Sequence, residues 1–219
     1  MSATLIDTDS VNRFIEDVRY NLVTLEGNLK TLGYNFANQN GAVQLASVSS
    51  LAALRSFERR FGIVSILFKC WYEAFHCVDF TQSNSQLYST NGERLAGLGL
   101  NCPLIFLDID TCFRTFQDMG IADQIASQKN GKTFIPIGGA ASNCDPRGIW
   151  VPDTGIDPNL YDDGAGPVTM YAEVKVAIEA GGFPFWMKMF SRRRFTSPLG
   201  VTPDYKNILP VLIHNLRAI

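Results

Sequence analysis

Two aspartates that follow a short apolar run are the side chains of this sequence best placed to perform catalysis. The run Leu-Ile-Phe-Leu at 104–107 predicts a buried strand, and Asp108 and Asp110 come directly after it. At the end of a strand, one carboxylate can act as a nucleophile while a second one nearby transfers protons. The most direct enzymatic hypothesis for this chain is therefore an enzyme that uses Asp108 and Asp110.

The residues after the two aspartates favour a structural role instead. Phosphatases of the haloacid dehalogenase type place a threonine two positions after the second aspartate, whereas here Thr111 follows Asp110 immediately. The lysine and the acidic pair that such enzymes carry further along are not apparent in the sequence either. We therefore expect Asp108 and Asp110 to lie at a strand end or in a helix cap, and we keep the phosphatase as the last of three functional hypotheses.

The cysteines and histidines predict neither a disulfide framework nor a metal site. Five cysteines, at 70, 77, 102, 112 and 144, form no Cys-x-x-Cys pair, and their number is odd. Cys70, His76 and Cys77 could bind a metal together, but the sequence shows no second group of ligands, so buried free thiols are the favoured interpretation. We expect no cofactor, no metal and no catalytic residue.

An acidic stretch in the second half of the chain is the candidate binding site. Residues 145–179 include seven acidic side chains against two basic ones. The aspartates lack the alternate-residue spacing and the closing glutamate of a calcium loop. Two interpretations stay open: a solvated loop, or an acidic surface that meets a basic partner protein. The partner-binding residues of the second interpretation are Asp153, Asp157, Asp162 and Asp163.

Composition and charge restrict the class of protein. The chain has 219 residues, of which 46% are hydrophobic and 18% charged, as expected for one globular domain over 1–219. A formal net charge of -2 argues against nucleic acid as the main partner. No apolar run approaches the ~18 residues that span a bilayer, and the N-terminus lacks the order of a secretory signal. We therefore expect a cytoplasmic protein with no membrane partner.

The elements that must position these residues begin with a heptad pattern at 8–32. It predicts an amphipathic helix that starts at a cap formed by Thr8, Asp9 or Ser10 and ends at Gly33. Two interpretations stay open: a coiled coil that forms a homodimer through this N-terminal helix, or a helix packed on its own domain, which a length of only three heptads favours. The apolar seam comprises Val11, Ile15, Val18, Leu22, Leu25, Leu29 and Leu32.

Two further helices lead into the first strand of the core, which we place at 48–219. The first has the apolar spacing of one buried face, starts after Ser49 or Ser50 and ends at Gly62. The run that follows is too rich in large apolar side chains for a surface helix and contains Trp71. It predicts the central helix of the core, followed by a strand that begins at Val78.

The remaining apolar runs predict an α+β fold with a mostly antiparallel central sheet and with helices packed on one side. Trp150 is expected in the core or on the face of that sheet. Further helices are expected over 167–180 and 208–219, with the first stopped by a pair of glycines. The strands of the predicted sheet are 78–80, 103–108, 133–137 and 148–152.

A series of short motifs resembles the SUKH superfamily, and in particular its uncharacterised bacterial members. The series begins with Phe57-Glu58-x-x-Phe61-Gly62, continues with Trp71-Tyr72-Glu73 and reaches Val78-Asp79-Phe80. Matching pieces follow in the same order at 134–137, 148–153 and 168–184. The resemblance covers about the last three quarters of the chain, so the helix at 8–32 is expected as an addition to the common fold.

The resemblance implies a function by binding rather than by catalysis. The SUKH superfamily contains a fungal regulator of cell-wall synthesis and many bacterial toxin-immunity proteins. Our leading hypothesis is therefore a non-enzymatic immunity protein that neutralises a cognate toxin by direct binding. A regulatory or scaffold interaction module is the second hypothesis.

Overall fold

The structure is a computed structural model of the chain. It describes residues 7–81, 104–120, 128–138, 147–161, 167–183 and 205–219. The helices in these ranges are α1 (Thr8–Thr31), α2 (Val48–Phe61), α3 (Ile66–Ala74), α4 (Ile109–Asp118), α5 (Met170–Glu179) and α6 (Tyr205–Leu212). The strands are β1 (Val43–Leu45), β2 (Phe75–Asp79), β3 (Ile105–Phe106), β4 (Gln128–Lys129), β5 (Lys132–Pro136), β6 (Gly148–Val151), β7 (Asn159–Leu160) and β8 (Val168–Thr169). The expected α+β class is confirmed.

The heptad seam of α1 is buried within its own chain. Its residues from Val11 to Leu29 are 0–8% exposed, and the helix packs against α3, α5 and α6. The structure therefore matches the interpretation of α1 as an amphipathic helix packed on its own domain. The predicted cap at Thr8, Asp9 or Ser10 is wrong by one to three residues, because the N-cap is Asp7, whose Oδ1 accepts the Ser10 N–H at 2.7 Å. Any second chain that bound α1 would have to contact its outward face.

The central helix of the core is α3, as the sequence predicted. Trp71 is fully buried, and its rings lie 4.7 Å from Phe75 and 4.5 Å from Phe106 between centroids. The preceding helix begins after Ser47, and not after Ser49 or Ser50, because the Ser47 hydroxyl accepts the Ser50 N–H. Strand β2 begins at Phe75, three residues earlier than predicted, because extended backbone there allows pairing with β1.

The described strands form two antiparallel three-stranded sheets and one antiparallel pair where a single sheet was expected. The first sheet has the order β1-β2-β3, the second has the order β4-β5-β6, and β7 pairs with β8. Backbone contacts connect these units, because the Leu107 N–H donates to Ile137 O at 2.9 Å and Gly148 forms a bridge with Tyr161. The first two predicted strand segments thus belong to one sheet, and the last two to another.

The second sheet has one buried side. Ile135, Ile149 and Val151 are at most 1% exposed, and α4 packs against β5. Side chains alternate between the two faces of a strand, so the residues between these three point to the opposite face. The single central sheet with helices on one side, which the sequence predicted, is not found among the described residues.

A pair of asparagines on α1 binds the C-terminal segment. Asn21 is fully buried and donates to Arg217 O at 3.0 Å, while its Oδ1 accepts the Arg217 N–H at 2.7 Å. One heptad later, Asn28 donates to the carbonyl oxygens of Leu212 and His214 at 2.7 and 3.1 Å. We call these hydrogen bonds the asparagine clamp. They fix the segment after α6, which ends at Leu212 although a longer helix was expected.

Candidate functional site

The two candidate catalytic aspartates belong to the first turn of α4. Asp108 is the N-cap, and its two carboxylate oxygens accept the Thr111 N–H at 2.8 Å and the Thr111 hydroxyl at 2.6 Å. Asp110 lies on the exposed side of the same turn. The helix-cap role predicted for Asp108 is therefore confirmed. A carboxylate that accepts both donors of Thr111 satisfies the otherwise unpaired backbone donor at the helix start.

The predicted acidic loop is docked on the start of α3. The carbonyl oxygens of Gly155 and Ile156 accept the N–H groups of Ile66 and Leu67 at 3.1 and 2.8 Å. Ser65, the N-cap of α3, makes no capping hydrogen bond through its side chain, so the backbone of the loop satisfies these donors instead. The loop therefore has a structural role that the sequence did not reveal.

The described carboxylates of this loop are directed in part toward the protein itself. Asp153 Oδ1 accepts the Gly155 N–H at 3.1 Å, and Asp157 Oδ1 accepts the Tyr171 N–H at 3.0 Å near the start of α5. Burial raises the pKa of Asp157, although its hydrogen bonds oppose that shift. Both side chains remain partly exposed. Asp162 and Asp163, the other two predicted partner-binding residues, lie outside the described residues.

The thiols and the imidazole near the end of α3 make separate contacts. Cys70 Sγ donates to Asn12 Oδ1 at 3.6 Å, whereas His76 Nδ1 lies 3.0 Å from Ser50 Oγ. Burial raises the pKa of Cys77 to about 12, so this thiol stays protonated at neutral pH. Within the described ranges, no group of three or more histidine, cysteine or acidic side chains could hold a metal ion.

An open cleft of about 310 Å³ lies beside the loop that follows α1. Its lining includes Lys30, whose ammonium group lies 2.5 Å from Glu26 Oε1. Glu26 Oε2 in turn accepts the Val43 N–H at 3.0 Å. The charges at this cleft thus form internal contacts that hold α1 to β1, and the cleft offers no strong argument for a ligand.

The side of the second sheet away from the core carries an aromatic pair that sequence reasoning did not single out. Phe134 and Trp150 are cross-strand partners with ring centroids 5.4 Å apart and planes inclined by 58°. Both side chains are partly exposed, whereas their strand neighbours Ile135 and Ile149 are buried. The register of the two strands places the rings next to each other, on the side of the sheet opposite Ile135 and Ile149.

Gly148 provides the space that the Phe134 ring of this pair occupies. A Cβ added at Gly148 would lie 2.6 Å from Ile135 O and 2.7 Å from Phe134 Cε2, closer than real Cβ atoms approach such neighbours. The Phe134 ring therefore lies over Gly148 on the opposing strand. Glycine in a strand often marks such a close approach. At position 148 only glycine leaves room for the Phe134 ring.

The hairpin between β4 and β5 extends the same surface with two cations. Asn130 and Gly131 have φ values of 53° and 73°, as the turns of two-residue hairpins require. Lys129 and Lys132 are directly opposite across the strands, and both are exposed. Because Lys132 lies two positions before Phe134, the two lysines and the two aromatic residues lie on one side of the sheet. We call this surface the outer sheet face: Lys129, Lys132, Phe134 and Trp150.

Comparison of the chain with known protein families, with curated proteins and with solved structures finds no match. Helices long and apolar enough to cross a bilayer do not occur in the part of the chain that the structure describes. The Asn-Gly turn at 130–131 is the sequence signal for the hairpin of the outer sheet face, whereas the pairing of Phe134 with Trp150 has no such local signal.

Proposed function

We propose that the chain is a non-enzymatic protein-binding domain whose outer sheet face contacts the partner. The observation that carries the proposal is the partly exposed cross-strand pair Phe134 and Trp150. An antiparallel sheet with one solvated face normally places polar side chains on that face. Aromatic residues are enriched at protein interfaces, and tryptophan is among the residues that most often contribute a large share of the binding energy. A partly exposed aromatic pair on the side of the sheet opposite Ile135 and Ile149 fits an interface.

Within this class we infer a SUKH-type immunity protein that neutralises a cognate toxin in the cytoplasm of the producing cell. Two motifs of the resemblance contact each other, which supports a shared fold: a Cβ added at Gly62 would lie 3.0 Å from Pro152 Cβ, and Gly62 has a φ of 92°. Asp153 follows Pro152 directly, so the acidic loop borders the strand that carries Trp150. In this proposal Asp153 and Asp157, with Asp162 and Asp163, belong to the rim of the interface.

The proposal is tested first through the neighbouring genes and then by growth. An immunity protein should be encoded beside a toxin, and its co-expression should protect cells from that toxin. We expect Trp150→Ala to abolish protection and to weaken binding of the toxin by more than about tenfold. Truncation of a tryptophan at a hot spot of an interface typically lowers the binding free energy by at least ~2 kcal/mol. The matched control is Val48→Ala, which removes an apolar side chain that is 87% exposed on another element.

Two outcomes would contradict the proposal. If Trp150→Ala binds the toxin as tightly as the unchanged chain does, the outer sheet face is not the interface. If no toxin is encoded nearby and none is neutralised, the immunity hypothesis fails, and the regulatory or scaffold module replaces it. A folded Trp150→Ala protein, confirmed by its melting curve, is required for either conclusion.

A further inference from the structure

The two lysines of the outer sheet face form an arrangement that folding does not explain. Like charges directly opposite each other across two strands are destabilising. Lys129 and Lys132 occupy such a pair, and neither forms an ion pair with any residue that the structure describes. Both residues are exposed and lie on the same side of the sheet as the aromatic pair. An anion placed between them would relieve their repulsion.

Asp153, the carboxylate that follows the strand carrying Trp150, does not fill this role. Continuation of the register between β5 and β6 places Pro152, and not Asp153, opposite Lys132. After Pro152 the chain turns toward α3, because the Asp153 N–H donates to Ile63 O at 2.8 Å. Asp153 Oδ1 accepts the Gly155 N–H, so this carboxylate is oriented into its own loop. The hairpin therefore presents positive charge to a partner.

We propose that the outer sheet face binds an extended acidic segment of the partner protein. This inference rests on the proposed function and names the chemistry of its partner. Carboxylates of the segment lie against Lys129 and Lys132, while an apolar side chain lies on Phe134 and Trp150. Residues two apart on a strand are separated by about 6.6 Å, so an extended segment with the pattern acidic-x-apolar matches the spacing of Lys132 and Phe134.

A single-stranded nucleic acid is the other ligand that combines anions with groups that stack on aromatic rings. The whole chain has a net charge of -2 and a pI of about 5.7, whereas proteins organised around phosphate binding carry a basic excess. The charge of the chain therefore favours a protein segment, for which a local pair of lysines is sufficient. Binding of an oligonucleotide is an outcome that the test must distinguish.

The test uses fluorescein-labelled peptides and the full chain in an anisotropy titration at low and high salt. The probe is the peptide Glu-Ser-Trp-Ser-Glu between Gly-Ser flanks, and its counterpart has lysine in place of each glutamate. We expect the acidic peptide to bind more tightly at low salt, because salt screens charges that are exposed. The double variant Lys129→Gln and Lys132→Gln should weaken its binding by roughly tenfold.

The matched control is the double variant Arg13→Gln and Arg19→Gln, which removes the same charge from the exposed side of α1. It should change binding of the acidic peptide by less than about twofold, because these charges lie on another surface and are screened. Three results would overturn the inference: no binding of the acidic peptide, equal binding of the two peptides, or tighter binding of a single-stranded oligothymidine than of the acidic peptide.

Measurements with the toxin separate this inference from the proposed function. If Trp150→Ala loses protection but the Lys129→Gln and Lys132→Gln variant keeps it, the proposed function stands and the acidic segment is refuted. If both variants lose protection and binding, both conclusions are supported. If both variants keep protection and binding, the outer sheet face is not the interface and both conclusions fail. Exposed lysines can be replaced without loss of the fold, which melting curves of the variants check.

Discussion

The asparagine clamp and the outer sheet face both depart from the usual distribution of polar and apolar side chains, but in opposite directions. In the clamp a polar side chain, Asn21, is fully buried against the segment around Arg217. On the outer sheet face two aromatic side chains, Phe134 and Trp150, are left partly exposed. The buried Asn21 is compensated inside the chain, because both polar atoms of its amide have partners. The aromatic pair stays partly exposed among the residues that the structure describes.

This difference separates residues that serve folding from residues that serve binding. A buried amide with both hydrogen bonds made contributes to stability, and its loss leaves other buried groups unpaired. Aromatic rings that are only partly buried contribute less to stability than fully buried ones, because part of their surface still meets water. Their apolar surface gains its full value only when a partner covers it. Substitutions in the two regions should therefore divide into those that change unfolding and those that change binding.

The largest effect on folding should come from Trp71→Ala. Trp71 is fully buried between Phe75 and Phe106, and truncation of such a side chain typically costs ~3–5 kcal/mol. That is a large part of the ~5–15 kcal/mol by which most domains are stable. Urea unfolding followed by circular dichroism measures the change. A variant that unfolds at the same urea concentration as the unchanged chain would show that α3 is not the centre of the core.

The next largest effect should come from Asn21→Ala in the clamp. The substitution removes two partly buried hydrogen bonds with the Arg217 backbone, each of which typically contributes about 0.5–1.5 kcal/mol. Asn12→Ala on the same helix is the control, because Asn12 is exposed and its only described contact is a 3.6 Å one with Cys70 Sγ. Equal unfolding midpoints for the two variants would mean that the clamp does not stabilise the fold.

The sequence predicted the elements whose residues serve folding better than the surface that serves binding. The seam from Val11 to Leu29, the central position of Trp71 and the cap at Asp108 each follow from local spacing, because helix periodicity and capping act within a few residues. Strand lengths and the division into sheets depend on pairing between distant segments, which local patterns do not contain. For that reason the strand predicted at 103–108 shortens to Ile105–Phe106.

The candidate site was harder to predict for the same reason. The acidic residues at 153–163 were visible as a charge pattern, but the docking of Gly155 and Ile156 on α3 required the folded chain. The outer sheet face combines residues from two separate parts of the sequence, 129–134 and 150. Only the register between β5 and β6 brings Phe134 and Trp150 together. A single tryptophan in a strand gives no such indication on its own.

A smaller effect should come from Asp108→Ala at the start of α4. Loss of an N-cap typically costs about 0.5–2 kcal/mol, because a backbone donor of the first turn loses its partner. Asp110→Ala is the control and should change the free energy of unfolding by less than about 0.5 kcal/mol, since Asp110 is exposed.

Both variant proteins should also be assayed for phosphatase turnover. Magnesium-dependent turnover in the unchanged chain that disappears in Asp108→Asn would restore the enzymatic hypothesis.

A smaller effect on folding than that of Trp71→Ala should come from Trp150→Ala, the substitution that tests the comparison most directly. The ring contact of Phe134 and Trp150 contributes about 0.5–1.5 kcal/mol beyond the area that it buries, and Trp150 is only partly buried, so the urea midpoint should fall less than in Trp71→Ala. The direct effect on partner binding should be larger for Trp150→Ala than for Trp71→Ala, because a partner covers Trp150 but cannot reach Trp71. Trp150→Phe keeps an aromatic ring and should retain most of the binding. If Trp150→Ala destabilised the fold as much as Trp71→Ala does, Trp150 would belong to the core, and the contrast between folding and binding residues would fail.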